Sequence, residues 1–373
     1  MLTVRGRAAQ FNPTNRFEKH DVEPLDEYLE HEAQLERLCD EPTTLADGRQ
    51  VITQVFRDRT QRVINRLDSP DLCFNWTLNP YRGCEHGCIY CYARPYHEML
   101  GFSSGLDFET KIMAKPDAPK LLRAELANPK WRGEPIVLSG ATDCYQPIEA
   151  KLKITRGCLA VLAEARQPVR VITKNRLVLR DIDLLSELAK HNAVRVAISV
   201  TTLDNQLAAK LEPRASSPSD RLWTIRRLTS AGISVMVMAS PIIPGLTDHE
   251  LPTILEAAAD AGAKVAAYEL VRLPYAVKDL FDDWLSRHFP DRREKVLGRI
   301  RECNGGKLYD NRFGNRLRGT GKLAEQIGNT FKVFARRYGL STCAESNCTH
   351  ALSSAAFRRP AVDNQLSLFA EAG

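Results

Sequence analysis

The chain has 373 residues, 43% of them apolar, enough for a sizeable core and against wholesale disorder. Its formal net charge is +6, and the whole excess lies from Phe281 onward, which suits a polyanionic partner or a solvated helical face. No run approaches the ~18–20 apolar residues of a membrane span, the N-terminus carries no signal-peptide core, and ten scattered cysteines in a chain this long do not form a disulfide framework; the expectation is a soluble cytoplasmic protein.

Residues 1–74 read as an irregular lead-in, with one polar helix candidate at 25–38. A first strand is expected in FNWTLNPYRG (74–83). Short Val- and Ile-rich runs follow at 135–139, 168–173, 193–200, 233–240 and 263–271, each of buried-strand length. Helical stretches separate them. Asp183 and Asp220 are the expected N-caps of two, and Gly232 ends the second. Thr247 to Glu250 reads as a capping box, with Gly262 as the stop. Repeated strand–helix units imply a parallel sheet with right-handed crossovers. The expected fold is α/β: a partial (β/α)6 barrel over 75–280, with N- and C-terminal extensions. A basic helical extension covers 281–352, where Leu323, Ile327, Phe331, Phe334 and Tyr338 share one helical stripe. Residues 353–373 form a small, polar, mobile tail.

The chemistry concentrates in GCEHGCIYCYA (83–93). Cys84, Cys88 and Cys91 are separated by three and then two residues. Three thiolates on one tight loop can hold three corners of an iron–sulfur cube and leave one iron open. A closed zinc site is the alternative, with His86 or His97 as fourth ligand.

The C-x3-C-x2-C spacing, with Tyr90 before the last cysteine, resembles the signature of the radical SAM superfamily. The resemblance implies a [4Fe–4S] cluster on Cys84, Cys88 and Cys91. Its open iron would chelate S-adenosylmethionine (SAM), and an electron donor such as flavodoxin or ferredoxin would drive reductive cleavage to a 5′-deoxyadenosyl radical that abstracts hydrogen. It also implies SAM contacts at the strand ends: Tyr90 beside the cluster, the turn Ser139, Gly140, Thr142 and Asp143 near the methionyl amino group, Ser199 near the ribose or carboxylate, Arg214 on the carboxylate, and residues 241–250 near the adenine. Each is also readable as a polar group capping its own loop.

Three further stretches, FNPTNRFE (11–18), TDCYQPIE (142–149) and YDNRFGNRLRGTG (309–321), resemble the bacterial radical SAM group related to spore photoproduct lyase. That likeness points toward DNA or a DNA lesion as substrate, with RNA or protein modification and a non-catalytic metal-stabilised nucleic-acid-binding module as alternatives. The lyase's hydrogen-donating cysteine has no direct counterpart: Ala141 stands at the nearest place, and Cys144 is either a displaced donor or a buried thiol. Gln365, Leu366, Leu368 and Phe369 lie in QLSLF, which resembles the pentapeptide that docks bacterial DNA polymerases and repair proteins on the replication sliding clamp. Packing of those residues on their own domain is the alternative. Cys343, Cys348 and His350, with Cys303, would give at most part of a second metal site; Cys39, Cys73 and Cys158 have no partners in sequence.

Overall fold

The computed structural model describes residues 6–16, 43–44, 50–342 and 352–361. Six parallel strands pair in chain order: β1 (Trp76–Leu78), β2 (Ile136–Leu138), β3 (Val169–Thr173), β4 (Val194–Ser199), β5 (Ser234–Ile242) and β6 (Val265–Leu270). The sheet is open, and both extensions supply its edges. Ile64–Arg66 runs antiparallel to β1, and Ser341–Thr342 parallel to β6. Every residue of β4 is buried, because helices cover one face and the site the other.

Helices α1 (Ala118–Ala127), α2 (Ile154–Ala165), α3 (Ile182–Ala189), α4 (Pro218–Ser230), α5 (Leu251–Asp260) and α6 (Val277–His288) follow the six strands in turn. Then come α7 (Arg293–Glu302) and α8 (Lys322–Arg337). The expected α8 stripe holds: Leu323, Ile327 and Phe331 are buried, and Phe331 meets Tyr268 of β6 at 4.7 Å between ring centroids. Each such side chain contributes ~1.5–3 kcal/mol of apolar burial. Among the described residues no helix is long and apolar enough to cross a membrane.

Several expectations need correction. The predicted first strand is two: after β1, Asn79-Pro80 breaks the ladder, and Tyr81–Arg82 joins a separate small sheet beside Lys111–Ala114. Pro80 has no N–H to give to a ladder. Ser217, not Asp220, caps α4, its Oγ accepting the Asp220 N–H. Asp183 sits inside the first turn of α3 and pairs with Arg156 at 2.7 Å. Thr247 makes no capping box; its Oγ1 accepts the Ile243 N–H, and Glu250 accepts from Thr202 and the Leu203 N–H. Gly232 and Gly262 do end their helices, at φ +76° and +103°.

The described part of the expected tail is a docked segment. Residues 352–361 dock across the entry ends of β2 to β4. The Ser353 N–H donates to the Asn192 carbonyl, Ser354 Oγ to that of Gly133 and the Arg358 N–H to that of Ala165, while Phe357 packs on the core. The helix candidate at 25–38, Cys39, Cys343, Cys348, His350 and the motif residues Gln365, Leu366, Leu368 and Phe369 lie outside the described residues.

Candidate active site

The loop after Tyr81–Arg82 carries the three cysteines, and a buried guanidinium holds its backbone. Arg94 Nε donates to the Cys88 carbonyl at 3.0 Å and Nη2 to that of Gly87 at 3.2 Å. Its Nη1 reaches the Ser104 and Gly105 carbonyls at 3.2 and 2.9 Å. Both Arg94 and its partner Glu109 have side chains with no exposure, and they meet at 2.5 Å. Gly87 is at φ +65°, and a Cβ there would stand 2.8 Å from Glu109 Oε2, so position 87 needs glycine on both counts. Outside this pair lies the N-terminal strap. Arg7 Nη1 donates to the Glu109 carbonyl, the Ala9 N–H to Glu109 Oε1, and Asn15 Nδ2 to the carbonyls of Glu98 and Phe102. The described part of the FNPTNRFE stretch therefore binds the segment that follows the cysteine loop, at Glu98, Phe102 and Asp107.

The front of that loop faces a cavity of about 700 Å³, within the usual ~300–1,000 Å³ of small-molecule sites. Cys84, Cys88 and Cys91 line it, together with the exit ends of all six strands: Asn79, Ser139, Thr173, Ser199, Ser240 and Leu270. In open parallel sheets and barrels, this end is where sites form. All three thiols are free, and burial pushes each pKa up. The charge of Asp143 adds to the rise at Cys84, and that of Glu212 at Cys88. Thiolates here need a cation to compensate them, which an iron–sulfur cluster supplies.

A histidine-completed zinc site does not fit. His86 Nδ1 lies 3.3 Å from Asp143 Oδ2, and Nε2 lies 3.1 Å from Asn175 Nδ2, so both ring nitrogens are engaged. His97 packs between Phe102 and Phe108 away from the cavity, and burial lowers its pKa to about 4. Among the described residues no three His, Cys, Asp or Glu gather round one point as a single ion requires. Three thiolates spread round a cube have no such need.

The turn after β2 is held rigidly. Ser139 adopts φ +82°, a strained conformation for a non-glycine residue, and its Oγ accepts the Cys144 N–H at 2.7 Å. The Gly140 carbonyl accepts from Tyr92 Oη at 2.5 Å, and the Ala141 N–H donates to Asn79 Oδ1. Thr142 lines the cavity while its hydroxyl donates to the Tyr81 carbonyl. Asp143 accepts from Thr173 Oγ1 and the Lys174 N–H, both at 2.8 Å. Burial works to raise its pKa, but His86 and the backbone donors outweigh it and hold the carboxyl below its usual range. Tyr90 also lines the cavity, its hydroxyl bonded to Glu212 and to Thr201.

Two expected residues stand elsewhere. Arg214 is not on the cavity wall; its Nη2 reaches Glu85 Oε1 at 3.2 Å. Lys174 is a half-buried cation on that wall, its Nζ 3.4 Å from the Ser240 carbonyl and 3.9 Å from Glu212 Oε1. Lys174 directly follows the apolar run VRVIT, and a lysine at the exit end of a buried strand is the signal that could have found it. Cys144 is fully buried in the main core and off the wall, so its position gives no support for hydrogen donation. The exposed cysteine on the wall is Cys73, its Sγ 3.5 Å from Arg170 Nη1. From residues 241–250 only Pro241 reaches the cavity. Cys303 is buried, its pKa raised to about 11 by that burial, and its suggested partners are outside the described residues.

Six strand ends closing on three cysteines define a cluster-dependent barrel enzyme. The radical SAM superfamily profile matches residues 78–258, which contain all three cysteines and five of the six strand ends. The chain belongs to the radical SAM superfamily: it is a radical SAM enzyme, and its cofactors are a [4Fe–4S] cluster and SAM. It is 36% identical over 233 residues to uncharacterised proteins of Mycobacterium tuberculosis and Mycobacterium bovis, covering 62% of this chain and 67% of theirs. An uncharacterised protein of Methanocaldococcus jannaschii is 29% identical over 197 residues, 53% of this chain and 71% of that one. Among solved structures, spore photoproduct lyase complexed with dinucleoside spore photoproduct shares the fold, with TM-score 0.56 and 15% identity over 77% of this chain and 80% of that one. A lyase variant solved with AdoMet and the same dinucleoside has TM-score 0.56 and 16% identity, at the same coverage.

When bound, the cofactors supply one electron and a carbon-centred radical. The protein's part is placement. Arg94 and Glu109 hold the cysteine loop, the Ser139–Asp143 turn forms part of the wall, and Lys174 on the same wall would face a carboxylate of the bound cofactor.

Proposed function

We propose that this enzyme abstracts hydrogen from DNA, in a repair-like reaction on a lesion or a modified base. The observation that carries the proposal is the cavity rim. Tyr96 and Phe313, which line it, are 54% and 57% exposed. Guanidinium groups lie over rings on the same wall: Arg272 over Tyr92 at 3.8 Å and Arg316 over Phe313 at 4.7 Å. Rings that stack on bases, interleaved with cations that meet phosphates, are the recurring equipment for unpaired nucleotides. The basic C-terminal quarter and a shared fold with a protein solved with a dinucleoside photoproduct agree with this reading. The enzyme works in the cytoplasm, with flavodoxin or ferredoxin as electron donor.

Anaerobic reconstitution followed by 5′-deoxyadenosine assay tests it. Ultraviolet-irradiated DNA is expected to raise release several-fold over undamaged DNA, RNA or a basic peptide. Equal release with all four removes the DNA assignment, and stimulation by RNA or peptide alone moves it to that class. The QLSLF tail belongs to the same proposal: a peptide of residues 360–373 is expected to bind a bacterial sliding clamp, and to lose that binding with Leu368→Ala plus Phe369→Ala. Titration without binding, or with binding indifferent to the double substitution, removes the clamp as partner.

A further inference from the structure

Two loops meet across one side of the cavity mouth. The first is a turn with Ser69 at its start and Pro70 next, closed by the Leu72 N–H on the Ser69 carbonyl at 3.3 Å. It presents Asp71. The second is the loop over 309–318, which carries Phe313, Gly314 and Arg316. Asp71 Oδ1 accepts the Gly314 N–H at 2.6 Å, and Oδ2 accepts from Arg316 Nε at 2.5 Å. Arg316 Nη2 donates onward to Ser69 Oγ at 2.6 Å. The Asp71 side chain is 7% exposed and that of Arg316 19%. Gly314 is at φ +86°, where a side chain would strain the backbone, while the space in front of its Cα is open.

A backbone N–H and a guanidinium converging on one point are donors that proteins commonly turn to a nucleic-acid phosphate. Here that point holds a carboxylate from the chain itself, and the exposed Phe313 ring lies beside it. We propose that Asp71 occupies a phosphodiester site: a strand phosphate displaces the carboxylate from Gly314 and Arg316 while the neighbouring base stacks on Phe313. The inference rests on the nucleic-acid reading and adds to it the site, the ligand group and an autoinhibitory contact that a strand must break.

The proposal fixes a sign that a purely structural clasp does not. Asp71→Asn keeps the shape and the Gly314 bond but removes the competing charge. Binding of a fluorescein-labelled single-stranded DNA to the reconstituted holoenzyme, followed by anisotropy, is expected to tighten by about three- to tenfold in this variant. The slope of log K against log salt is expected to steepen by about 0.7, the share of one single-strand phosphate newly releasing its counterion. Arg316→Ala is expected to weaken binding and to cancel the gain when combined with Asp71→Asn. A gain in affinity has no counterpart in a misfolded protein. Strand binding by the wild type with no gain, or a loss, in Asp71→Asn overturns the phosphate site alone. No strand binding by either protein overturns the nucleic-acid reading and this site with it.

Discussion

Replacing any one of Cys84, Cys88 and Cys91 by alanine is expected to strip the protein of its cluster and to drop 5′-deoxyadenosine release to background. Each thiol lines the same cavity. A cube held at two corners loses both its anchorage and the geometry that leaves one iron open. Iron content, absorbance near about 400 nm and SAM turnover should therefore fall together. Cys144→Ala supplies the contrast. Its thiol sits in the core, so the cost falls on stability, about 1 kcal/mol, with iron content retained. A Cys88→Ala protein that kept full iron and cleaved SAM would remove the ligand assignment.

The second large effect is expected at the pair behind the loop. Arg94→Ala leaves Glu109 as an uncompensated buried carboxylate, and removing one partner of such a pair costs ~3–5 kcal/mol. It also strands the carbonyls of Gly87 and Cys88, which gain their donors from this guanidinium. Denaturant unfolding of the anaerobic protein should show a loss of that size, with iron retention reduced alongside. Arg94→Lys restores the charge but not the fork that reaches several carbonyls at once, so it should recover only part of the stability. The double variant Arg94→Leu with Glu109→Leu should cost less than the two single losses added together. Strict additivity would mean that the two side chains hold the loop independently.

The sheet and its centre were legible because each rests on a local pattern. Val- and Ile-rich runs between glycine stops mark β2 to β6, and the cysteine spacing marks the loop. What escaped depends on contacts distant in sequence. Nothing near Arg94 announces that it meets Glu109 and the carbonyls of Ser104 and Gly105. Arg214 was the expected cation, but the fold sends it to Glu85 and puts Lys174 on the cavity wall. Cys144 follows the Asp143 that faces the site, yet one residue along a tight turn reverses the side of the wall a side chain meets. The caps failed for a smaller reason: Ser, Thr and Asp crowd these helix starts, and which oxygen bonds depends on backbone angles that composition does not encode.

The stretch pinned beneath β2 to β4 has a directional consequence. Arg358 and Arg359 anchor it to the rim of the fold opposite the opening, through the carbonyls of Glu164, Pro129 and Trp131. The entry ends of these strands are therefore capped by the chain's own backbone, away from the cavity at their exit ends.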